Sequence, residues 1–170
     1  QLILDAIAAA SAGTTVANTV VTSGSAAASD LNVGKIIAAA KALNAANVPS
    51  TDRHMVIHAN GLAALLGDER AVSSDFNSLQ ALQRGDINTF MGFTMHVLGD
   101  RDEGGLAIDG SSDRTNFAFH KSAIGCAVGM APTTKIDYIA EKTSFLVAAC
   151  LSMGAVAIDA AGIVDITTRE

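Results

Sequence analysis

Four histidines, His54, His58, His96 and His120, are the side chains of this chain best suited to chemistry. An imidazole changes charge near neutral pH and is the commonest metal ligand. His54 and His58 lie four apart in a run that alternates as a strand, Arg53-His54-Met55-Val56-Ile57-His58. That spacing gives them one face of the strand but sets them about 13 Å apart, too far to hold one ion. His96 and His120 fall in two further strand-like runs and would meet if those strands were neighbours. A zinc-dependent enzyme or ligand-binding domain would then use His58, His96 and His120. No Cys or Glu stands at ligand spacing from them, so packed or solvated histidines are the expectation.

The remaining motifs weigh the same way. Asp100-Arg101-Asp102-Glu103-Gly104-Gly105 has the glycine that a calcium loop wants at its sixth position, but Ser111 stands where the bidentate Glu belongs. A solvated acidic turn is the simpler reading. There is no Gly-x-Ser-x-Gly, and Ser152 lies in a strand pattern without an evident base. Phosphate-binding glycine motifs are missing too, and Gly125-Cys126-Ala127-Val128-Gly129 reads as close sheet packing. Asp137, Glu141, Asp159 and Asp165 are spread over different strands and are expected to face water. No catalytic, cofactor-binding or metal-ligating set emerges, and no cofactor is expected.

The elements that would position these residues can be read from periodicity. Leu2–Ala10 patterns as the last turns of an amphipathic helix that begins in mid-pattern at Gln1, and an N-terminal part of the natural product is expected to precede it. Residues 11–29 are rich in Ser, Thr, Ala and Gly, with a short strand over Val16–Val21. A second helix, capped by Ser29 or Asp30, buries Val33, Ile36, Ile37, Ala40 and Leu43 and ends before Pro49. After the His54–His58 strand, Asn60 caps a short helix carrying Leu62, Leu65 and Leu66. Residues 67–86 are polar and irregular, with a helical turn near Leu79–Leu82. A strand follows over Gly92–Leu98, then an exposed loop over Gly99–Thr115. From Asn116 to Glu170, short apolar runs punctuated by glycine read as consecutive strands. The order predicts an α+β domain with a largely antiparallel sheet.

Composition narrows the function classes. The 170 residues carry a net charge of −6, and the 11 Lys and Arg are scattered, whereas phosphate neutralisation needs clustered cations. Hydrophobic residues make up 49% but aromatics only 4%, so the apolar content is mostly alanine and aliphatic side chains. No run approaches the roughly 18 apolar residues of a membrane span, and no membrane partner is expected. Cys126 and Cys150 stand in apolar strand-like contexts and are expected to be buried thiols in a reducing compartment.

One family fits the whole layout. The chain resembles the C-terminal half or more of tailed-phage major capsid proteins of the Hong Kong 97-type fold. The residues that carry the resemblance come in order: the helix over 31–47 ending Ala46-Asn47-Val48-Pro49, the Pro-x-x-x-Arg strand with Pro49 and Arg53, and the small helix Gly61-Leu62-Ala63-Ala64-Leu65-Leu66. Then come Asp86–Phe93 with its Gly92-Phe93, the strand Asn116-Phe117-Ala118-Phe119-His120-Lys121-Ser122-Ala123, and the ending Gly162-Ile163-Val164-Asp165-Ile166.

The resemblance implies an axial domain over residues 31–135 with a central, mostly antiparallel sheet flanked by helices. Residues 1–30 would be the end of the spine helix and a connection from a partial peripheral domain. Residues 136–170 would be C-terminal strands linking the two domains. It implies a structural, non-enzymatic role: pentamers and hexamers closing into an icosahedral virion shell, assembled in the bacterial host cytoplasm around double-stranded DNA that the protein lies near without binding specifically. The loop over 71–85 would face the symmetry axis, with Gly99–Thr115 as the other candidate. Some members weld subunits through a Lys–Asn isopeptide bond. The corresponding Asn would fall near Thr143 or Ser144, and no Asn follows Asn116, so that cross-link does not carry over. An encapsulin-like shell, which shares the fold but encloses protein cargo, is the nearest alternative.

Overall fold

A computed structural model of the protein describes residues 2–10, 14–21, 28–67, 89–99, 105–106 and 108–170. Helix α1 spans Leu2–Ala10, followed by strand β1 (Thr14–Val16) and helix α2 (Val33–Ala45). Strand β2 (Arg53–His58) leads directly into helix α3 (Ala59–Gly67), and β3 (Thr89–Phe90), β4 (Phe93–Leu98) and β5 (Asp113–His120) follow. The chain ends with two long strands, β6 (Ile124–Ile139) and β7 (Ser144–Ala157), and β8 (Ile163–Arg169).

Helix caps depart from expectation in two places. Asn32, not Ser29 or Asp30, caps α2, its side chain accepting from the Lys35 amide at 3.1 Å. The carbonyls of Ser29 and Asp30 instead receive the Lys35 ammonium. Asn60 lies inside α3, which starts one residue earlier, and its own amide donates to His58 Nδ1. The buried stripe of α2 is Ile36, Ala39 and Leu43 with Gly34 and Lys35, while Ile37 faces outward. After α2 the chain turns through Asn47 at φ 56°, a conformation Asn tolerates better than most residues. Arg53 then locks this turn: its guanidinium donates to the carbonyls of Pro49 and Val48 and to Asn44 Oδ1, all within 2.8 Å. That is the physical content of the Pro-x-x-x-Arg pattern.

Six strands form one sheet in the order β1-β8-β5-β2-β4-β3, with three antiparallel pairings and two parallel ones (β1–β8 and β2–β4) among the described residues. One face carries Met55, Ile57, Phe93, Met95, Ala118, Val164 and Ile166 and is covered by α2 and α3. The other carries Val56, Phe117 and Ile163, covered by Ile7 of α1, Leu106 and Ala123. The second sheet is the two-stranded ribbon β6–β7, whose strands pair antiparallel over about 45 Å. Two register shifts, between Val128 and Met130 and between Met130 and Thr133, let β6 pass Pro132, which has no N–H to give a ladder. The domain boundary expected at residues 135 and 136 falls inside β6.

The ribbon leaves the main sheet through two tight turns, Lys121–Ala123 and Ala160–Gly162, which touch each other. A Cβ on Gly162 would stand 2.7 Å from the Ala123 Cβ. Gly162→Ala is therefore expected to destabilise the fold by about 1–3 kcal/mol through overpacking. Urea unfolding of the variant checks this.

Lys35 is fully buried in the first turn of α2. Burial pushes its ammonium down to about 8, against the raising influence of Asp30 and then Asp113. A lysine that loses its proton earlier in the folded than in the unfolded chain makes stability rise with pH between those two values. Relative to Lys35→Met, the native protein should gain about 2 kcal/mol between pH 7.5 and 10. Paired urea titrations at the two pH values measure it.

Candidate assembly surface

The histidines do not converge as three. β2 lies between β4 and β5, so His96 and His120 are not on neighbouring strands. Register also separates them by face: His120 is opposite Arg53, while His54 is opposite Phe119 on the other side of the sheet. His120 instead caps the turn after β5, its Nδ1 accepting from the Ser122 amide and lying 2.7 Å from the Ser122 hydroxyl. His96 meets His54, with Nε2 3.1 Å from His54 Nδ1. His58 is buried elsewhere, 3.1 Å from Glu170 Oε1. Among the described residues, no three His, Cys, Asp or Glu side chains gather within reach of one ion.

The buried polar cluster where β5 begins and β8 ends is a clasp. Arg114 grips Glu170 with two hydrogen bonds, Nε to Oε1 at 2.7 Å and Nη2 to Oε2 at 3.0 Å, and donates to the Leu106 carbonyl. Asn60 of α3 donates to Glu170 Oε2. Asn116, fully buried, accepts from the His58 amide and donates to Thr168 Oγ1. Burial alone would push the Glu170 carboxyl up. The hydrogen bonds from Arg114 and Asn60, with the charges of Arg114 and His58, outweigh it and hold the carboxyl below its ordinary value.

Of the expected solvent-facing carboxylates, Asp137, Glu141 and Asp159 are exposed, but Asp165 is buried. Its pairing opposite Phe117 places it on a covered face of the sheet. The cysteines reverse the other way: both Cys126 and Cys150 are exposed, because they stand on the ribbon. Ser152 is also on the ribbon, in β7. Thr143, near which the cross-linking Asn would fall, turns the ribbon tip at φ 48°. The acidic run Asp100–Glu103 and the loop over 71–85 lie outside the described residues.

What the ribbon presents is apolar. Side chains alternate along a strand, and the pairs Ile136–Val147 and Tyr138–Phe145 therefore share one face. These four are 66%, 63%, 58% and 71% exposed, and the Tyr138 and Phe145 rings pack with centroids 5.3 Å apart. Leu151 and Met153 continue the same face toward the base of the ribbon. There they line, with Leu2 and Ile3 of α1 and with Cys126, an open groove of about 470 Å³. α1 covers the base of this face and leaves the tip half bare. A contiguous apolar patch of this kind marks an interaction surface. Sequence pattern alone did not find it, since an apolar strand reads the same whether its cover comes from its own core or from another chain.

Comparison with known proteins agrees with this picture. The family model described as phage capsid protein matches residues 1–170. The sequence has no significant match among curated proteins. Among solved structures, one from Mycobacterium phage Che8 superposes with a TM-score of 0.67 at 24% identity, covering 96% of this chain and 56% of the other. The capsid of Helicobacter pylori bacteriophage KHP30 gives 0.63 at 10% identity over 99% of this chain and 65% of its own. A virus-like particle from Pyrococcus furiosus gives 0.54 at 14% identity, over 97% and 59%. The chain thus spans less than two thirds of the length of these structures. With the capsid fold in place and the family match running from the first residue to the last, the chain belongs to the phage capsid protein family.

Proposed function

We propose that this chain is part of a major capsid protein that self-assembles, through pentamers and hexamers, into the icosahedral head of a tailed phage enclosing double-stranded DNA. Its place is the virion shell, assembled in the host cytoplasm, and its role is structural, with no catalytic step. The observation that carries the reading, beyond family membership, is the bare apolar face of the ribbon, which supplies what a closed shell needs. Such shells are built from many copies of modest, self-complementary contacts and require no reactive group. The net charge of −6 suits a wall that must not stick to packaged DNA. The loop over 71–85 is the segment proposed to face the symmetry axis, with 99–115 as the other candidate.

Electron microscopy of the protein expressed from its complete gene tests this. Uniform closed particles containing DNA in the phage context are expected. Particles that enclose protein cargo would favour the encapsulin-like alternative. A well-behaved small species with no shells, tubes or sheets would overturn the assembly role.

A further inference from the structure

The paired histidines of β2 and β4 are used by nothing described above. His54 Nδ1 and His96 Nε2 lie 3.1 Å apart, with ring centroids 5.2 Å apart and planes inclined by 32°. Two imidazole nitrogens bound to one ion at zinc–nitrogen distances stand about 2.9 Å apart at a right angle and about 3.4 Å at a tetrahedral angle. The observed separation lies between these limits. We propose that His54 and His96 form a two-imidazole site for a borderline divalent cation (zinc, nickel or copper), with solvent completing the coordination.

The scaffold is built to hold the pair. The two residues belong to parallel strands in fixed register, His54 opposite Thr94 and His96 opposite Val56, so they are diagonal neighbours on one face. The Phe119 ring stands 5.8 Å from the His54 ring and walls its other side. His54 is half-buried and His96 exposed, which leaves the ion open to water on one side. Imidazole selects borderline ions over calcium or magnesium.

In the ion-free pair one ring donates its N–H to the other. Ligation moves that proton to the far nitrogen of the same ring, so a neutral pair binds the ion without net proton release. The consequence is a clamp between the neighbouring strands β2 and β4.

The test is nickel and zinc titration of the protein from its complete gene, carrying Cys126→Ser and Cys150→Ser because both exposed thiols compete for these ions. Saturable binding of one ion per chain is expected, with a rise in Tm. His96→Gln, a surface change that leaves the fold intact, should weaken binding by about 10–100-fold or more. His120→Gln should leave it unchanged, and binding should fade as the pH drops below the histidine range. No binding by the parent, or equal binding by His96→Gln, would overturn the proposal and leave a plain hydrogen-bonded pair.

Discussion

Replacing Phe145 and Val147 with Asp is expected to abolish shell assembly while leaving the subunit folded. Both side chains are mostly exposed in the chain itself, so the change removes little from its core, and surface substitutions of this kind stay within about 0.5 kcal/mol of neutral. On the proposed assembly the same positions would become buried contacts repeated in every copy. Loss of an apolar anchor in such a contact costs about 2 kcal/mol or more, and a desolvated carboxylate adds to that. Since about 1.4 kcal/mol is tenfold in association, the assembled fraction should fall by well over tenfold at each interface. Circular dichroism and thermal unfolding report the fold, and sedimentation with electron microscopy reports the shells. Normal yields of intact shells would rule out the tip half of the ribbon as an assembly surface. Unfolded or insoluble subunits would place the cover of this face within the same polypeptide instead.

The sequence carried the main sheet better than it carried the ribbon. Alternation in Arg53–His58, helical spacing through Ile36 and Leu43, and the Phe117–His120 run all report burial against partners inside the chain, and β2, α2 and β5 form where those patterns lie, although the stripe of α2 takes Ala39 and leaves Ile37 outward. The ribbon was legible as strands but not as a ribbon. Gly129 and Pro132 look like breaks, yet β6 runs through them by bulging. Cys126 and Cys150 look like core positions because a strand awaiting an external cover has a core-like composition. The histidine pair was hidden for another reason. Which of His54, His96 and His120 meet depends on β2 lying between β4 and β5, and strand order is a property of topology that no local spacing encodes. Lys35 escaped notice because helical patterning assigns a lysine to the solvent side, whereas here its ammonium ties α2 to the Ser29 and Asp30 carbonyls.

The largest effect on the fold itself is expected at Arg114. Its side chain is 4% exposed and holds Glu170, whose side chain is 15% exposed, in a bidentate pair. The third contact, to the Leu106 carbonyl, reaches the segment that covers the second face of the sheet. Arg114→Met fills a similar volume but strands the carboxylate beside His58 and Asn60 and removes the donor to that carbonyl. Removing one partner of a buried pair destabilises by about 3–5 kcal/mol. Glu170 keeps some solvent access, so the lower end, about 3 kcal/mol, is expected. The same substitution should change the acid limb of stability. The Glu170 carboxyl titrates below its ordinary value in the folded chain, so between the folded and unfolded values the unfolded chain binds more protons. Its contribution is complete above about pH 4.5 and drains away as the pH falls through the folded value. Without Arg114 the main cause of that depression is gone, and the stability curve of the variant should flatten below about pH 4.5 relative to the parent. Urea unfolding from pH 3 to pH 7 measures both effects. Parallel curves, offset by a constant, would mean that Arg114 stabilises through packing and the Leu106 contact rather than through the carboxylate.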